Sequence, residues 1–127
     1  MIEEALTAYL TSNVTGCQFE WLDAGQDVTP PFAVIRGEGE DLIRTQQGTA
    51  DLQSVDIAID IYAVTPKTTI TIERQIKALM QDYRGPMPAG DGDEIYIDSV
   101  DYRGRFGGRE GSTKLVYQTI NFDIWYR

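Results

Sequence analysis

"SVDIAIDIYAVTPKTTITIERQIKALM", residues 54–80, changes its period in the middle, and that change decides the architecture. Over 54–63 apolar and polar side chains alternate. Val55, Ile57, Ile59 and Ile61 project one way and Asp56, Ala58, Asp60 and Tyr62 the other, the two-residue repeat of a strand with one face in a core. From Thr65 the period lengthens. Thr65 supplies an N-cap hydroxyl and Pro66 occupies the first helical position, and Ile72, Ile76, Leu79, Met80 and Tyr83 make an apolar stripe that stops at Gly85 and Pro86. A strand feeding straight into an amphipathic helix predicts a helix laid over a sheet.

Working outward, Ile2, Leu6, Tyr9 and Leu10 stand at i, i+4, i+7 and i+8 behind Glu3 and Glu4, which predicts a short helix ending near Asn13 and Gly16. "CQFEWL" alternates weakly, and "FAVIR" reads as a short buried strand after the breaker "DAGQDVTPP". Residues 37–51 are polar with little periodicity, and read as a long loop or a loose hairpin arm. "MPAGDGDE" reads as a polar turn, followed by the strands "IYIDSVDYR" and "KLVYQTINFDIWYR". On the last strand Val116, Ile120, Phe122, Ile124 and Tyr126 share the core face, while Leu115, Tyr117 and Trp125 lie opposite with Thr119, Asn121 and Asp123. With Tyr62 also outward, that second face is too aromatic for water alone, so either a helix or a neighbouring subunit covers it. Tyr62, Tyr117 and Trp125 are therefore the candidate interface residues.

"RGRFGGREG", 103–111, looks like an RNA-binding tail, but it occurs once and between two strands. It reads as the mobile tip of a β-hairpin, with its glycines supplying positive φ. Arg103, Arg105, Arg109 and Lys114 against Glu110 leave +3 there and −12 on the rest of a chain of net charge −9. A basic tip on an acidic body favours a protein partner, with Arg103, Arg105 and Arg109 as charges and Phe106 as apolar anchor; a solvated turn is the alternative.

The chain has 127 residues, 42% of them apolar, enough for one domain spanning 1–127 with its own core. The acidic balance repels phosphate and anionic membrane surfaces. No stretch reaches the roughly 18 apolar residues of a membrane span, and "MIEEALTAYL" lacks the basic start of an export signal. Cys17 is the one cysteine, which excludes an intrachain disulfide and fits a reducing cytosol. There is no histidine to act as base or metal ligand. Asp56 and Asp60 share a strand face at roughly 13 Å, too far apart for a carboxylate dyad, and read as a solvated or interface edge. "GDGDE" at 90–94 lacks the ligands of a calcium loop, and no phosphate-binding motif occurs. The residues predict no catalysis, cofactor or metal.

The order of pieces carries one resemblance. "IEEALTAYL", "PPFAVI", a polar arm, "VDIAIDIYAVT" running into "ERQIKALM", then "DSVDYRGRF" and "INFDIWYR" resemble the tail-completion and tail-terminator proteins of long-tailed bacteriophages over nearly the whole chain. The resemblance implies an α+β fold: a mixed, mainly antiparallel sheet, two helices packed on it and a long β-hairpin near the C-terminus. It implies a structural protein of the virion tail, assembled in the bacterial cytoplasm as a cyclic homo-oligomer, a hexamer in the family. The ring would sit at the head-proximal end of the tail tube, contacting the tail-tube protein and the head-tail connector, with DNA only in passage. A head-side connector or stopper, and a small monomeric protein-binding module, are the rival readings.

Overall fold

A computed structural model describes residues 2–21, 30–45, 48–88, 94–109, 111 and 115–127, with the backbone alone for 38–45 and 48–52. The fold is α+β, as expected, with the elements α1 (Ile2–Asn13), β1 (Gln18–Trp21), β2 (Phe32–Thr45), β3 (Gly48–Ala63), α2 (Pro66–Met80), β4 (Gly85–Pro88), β5 (Glu94–Arg109) and β6 (Val116–Tyr126). The six strands form one sheet in the order β1-β2-β3-β6-β5-β4. β1 runs parallel to β2, and every other neighbouring pair is antiparallel.

The alternation of residues 54–63 places β3 at the centre of the sheet. Val55, Ile57 and Ile59 face Ile124, Phe122 and Ile120 across the β3–β6 ladder, and all six are buried. α2 covers them with Ile72, Ile76 and Met80, and α1 adds Ile2, Leu6 and Leu10 to the same cluster. At about 1.5–3 kcal/mol for each such side chain taken out of water, this one-sided layer is the main source of stability. α1 touches both edge strands, β1 and β4.

α2 begins where its sequence predicts: the Thr65 hydroxyl accepts from the Thr68 N–H, and Pro66 follows. It ends at Met80, five residues before Gly85. Gln81 turns extended after its N–H donates to the Lys77 carbonyl, and Asp82 takes a left-handed φ of 62°. The early stop frees Tyr83 to meet Tyr9 edge-on at 5.2 Å and to donate its hydroxyl to the Pro86 carbonyl. A contact with α1 thus outweighs continuation of the helical stripe.

Both segments read as loops lie in strands. Residues 37–45 extend β2 and pair with β3 down to Thr45 opposite Gly48, the hairpin arm of the two readings. Residues 103–109 extend β5, in register with β6 to Arg109 opposite Val116. Their glycines misled the reading because one of them serves a β-bulge: the register shifts between Tyr102 and Gly104, and Gly104 has φ 145°. Of the stretch 87–94 read as a polar turn, Met87 and Pro88 belong to β4 and Glu94 begins β5, while 89–93, which hold most of the calcium-loop comparison, and Lys114 fall outside the described residues.

Candidate interaction face

Both helices lie on one side of the sheet, and no described helix lies on the other. Alternation and register arrange that open face in rows. Phe32, Tyr62 and Tyr117 form the first row, with Gly108 beyond them; Val34, Asp60, Thr119 and Phe106 form the second. Further along β6 come Asp56, Asp123 and Asp101 side by side, then Ser54, Trp125 and Ser99. The face is aromatic towards one end and acidic towards the other.

At the aromatic end Phe32 stacks on Tyr62 with ring centroids 5.0 Å apart, and Tyr62 meets Tyr117 at 6.2 Å. Tyr117 lies across Gly108, where an added Cβ would come within 2.9 Å of its hydroxyl. A depression of about 400 Å³ opens between Tyr62, Tyr117 and Phe106 over a floor of Arg36, Asp60 and Thr119. That floor is a hydrogen-bonded polar set. Arg36 donates through Nε at 2.7 Å and Nη2 at 3.2 Å to the two Asp60 oxygens, and Thr119 donates its hydroxyl at 2.7 Å. Asp60 is buried, so the reading of it as part of a solvated edge is overturned: β3 is central, and Arg36 and Thr119 compensate the carboxylate.

At the acidic end Asp56, Asp123 and Asp101 sit directly opposite one another on three adjacent strands, an arrangement that like charge disfavours. Burial pushes the Asp123 carboxyl above its ordinary value, and the charge of Asp56 and a hydrogen bond with it push the same way, as does Asp101; Arg103, 3.6 Å away, pulls it back. Among the described residues no three acidic or cysteine side chains form a group that holds a metal ion.

The predicted tip residues divide between the two sides of the sheet. Phe106 is 57% exposed on the open face, and Arg103 reaches Asp123 there. Arg105 points to the helix side, where Nη1 lies 2.9 Å from Oε2 of Glu73 on α2. Glu73 is buried, and its Oε1 meets no hydrogen-bond partner. Arg105 is therefore tied to the helix layer while its side chain remains 55% exposed, and the pair compensates a carboxylate that would be costly to bury alone. Arg109 ends β5 beside Val116 and is itself engaged in an interaction.

Of the three aromatic candidates, Tyr62 and Tyr117 come together, joined by Phe32 and Phe106. Trp125 stands eight residues further along β6, roughly 26 Å from Tyr117 at about 3.3 Å per residue. Arg36, Thr119 and the three-aspartate row were missed, because each becomes visible only once the cross-strand register is known. Cys17 is half-buried, and burial pushes its thiol up to about 12, which fits a packing role. No helix among the described residues is long and apolar enough to cross a membrane. No known protein family and no curated protein matches the chain.

Proposed function

We propose that this chain is a structural subunit of a long-tailed bacteriophage virion, forming a ring at the head-proximal end of the tail tube that ends tail growth and receives the head. The observation that carries this reading is the one-sided fold. Both described helices pack on one face, and the other presents stacked aromatic rings beside a row of carboxylates, a surface suited to a neighbouring subunit. A net charge of −9 would let DNA pass through such a ring without sticking. The chain's own copies, the tail-tube protein and the head-tail connector are the partners, and the role requires no catalysis.

A nonsense mutation in this gene of the parent phage, examined by electron microscopy of the lysate, tests the reading. The expected result is tail tubes of uncontrolled length with no heads attached. Tails of normal length that lack heads would move the protein to the head-side connector, and normal virions would remove it from the particle.

A further inference from the structure

A one-sided sheet has a second outer surface, the back of its helices, and here the two differ in charge. The exposed stripe of α2 carries Lys67, Ile70, Thr71, Arg74 and Ala78 at helical spacing. The helix has one acid, Glu73, and it points inward to Arg105, so the stripe bears two cations and no anion. Neither Lys67 nor Arg74 makes an ion pair with a described residue. Val64, 69% exposed, and Ile70 add apolar surface at the same end. On a chain of net charge −9 this is a distinctly basic surface, and the open sheet face opposite has three aspartates against Arg103.

We propose that the acidic, aromatic sheet face of one subunit docks on the exposed stripe of α2 of the next. The inference rests on the ring reading and specifies its contact. The dimensions agree: 15 residues of helix span about 22 Å, against roughly 26 Å of open face from Tyr117 to Trp125. Because the two surfaces are different patches of one molecule, the contact is head-to-tail. Such a contact propagates from subunit to subunit and closes into a ring when its rotation divides a full turn. A contact of the sheet face with itself would instead stop at a dimer and would oppose carboxylate to carboxylate.

Two charge-reversed variants test the pairing: Asp56→Lys with Asp101→Lys on the sheet face, and Lys67→Glu with Arg74→Glu on α2. All four side chains are exposed, and circular dichroism of each variant should match the wild type. Association is read by sedimentation velocity up to the highest concentration the chain tolerates. Wild type should assemble, and each variant alone should associate more weakly by about tenfold or more. An equal mixture of the two should recover assembly, because in an alternating ring every contact is again complementary. If the wild type assembles and the α2 variant assembles equally well, or the mixture fails to recover, the pairing is overturned and the ring reading stands. A wild type that stays monomeric throughout overturns the pairing as a contact that free subunits make, and one that also fails to join purified tail tubes overturns the ring reading.

Discussion

Arg105 on β5 and Glu73 on α2 form an ion pair at 2.9 Å that clamps the glycine-rich end of the C-terminal hairpin to the helix layer. The carboxylate is buried and the guanidinium half-exposed, so the pair lies between a surface bridge and a core one. Arg105→Ala should destabilise the fold by about 2 kcal/mol, below the roughly 3–5 kcal/mol of a fully buried pair, and Arg105→Glu by more. Urea melts of both variants measure this. In a Glu73→Gln background Arg105→Ala should cost less than half as much, the signature of coupling rather than of lost packing. An Arg105→Glu chain as stable as wild type would return this stretch to the status of a free tip.

Asp123 sets a pH dependence of definite sign. Its folded carboxyl titrates above the ordinary 3.8, so the folded state holds the proton more tightly than the unfolded chain. The stability it contributes is fully present below 3.8 and is lost as pH rises through the folded value. Asp123→Asn should therefore raise the melting temperature at neutral pH and flatten its decline above 3.8. Carbon-detected titration of the side-chain carboxyls checks the assignment, and a midpoint for Asp123 at or below 3.8 would refute it.

Gly104 and Gly111 separate conformational need from loop composition. At φ 145° on the bulge, Gly104 has open space for a Cβ but a backbone angle that a side chain resists. Gly104→Ala should cost about 1–2 kcal/mol. Gly111→Ala, with no contact within 4 Å and no such angle, should change stability by less than about 0.5 kcal/mol. Equal melting curves for the two variants would contradict the bulge.

Cys17 should resist alkylation in the native chain. With its thiol pushed up to about 12, few molecules carry the thiolate near neutral pH. Reaction with iodoacetamide should accelerate by about a hundredfold or more in urea, where the thiol regains an ordinary value near 8.5. Mass spectrometry of timed aliquots reads the two rates, and equal rates would show that the native thiol is accessible and ionised.

Much of the core was legible in the chain. Alternation at 54–63 and along β6 assigned Val55, Ile57, Ile59, Phe122 and Ile124 to one face, and the Thr65-Pro66 pair marked the start of α2. These signals are local: a strand's period and a helix's cap are written within a few residues. The same alternation put Tyr62, Tyr117 and Trp125 on the outer face, where they lie. It left open whether a helix covered that face, because amphipathicity shows that a helix needs a sheet and says nothing of which side it takes.

What the sequence by itself determined is the two helices, the central strands β3 and β6 with their buried faces, and an acidic chain with one concentration of arginine. Tertiary structure alone decided the rest, because it depends on which residues stand opposite one another. Register placed Arg36 and Thr119 around Asp60, lined up Asp56, Asp123 and Asp101, and turned Arg105 towards Glu73 while Phe106 stayed on the open face. A one-residue difference along β5 sends a side chain to the opposite side of the sheet, and the bulge at Gly104 resets that count within the arginine-rich stretch. Composition marks such a stretch as basic, but only the pairing of strands says which of its charges face inward.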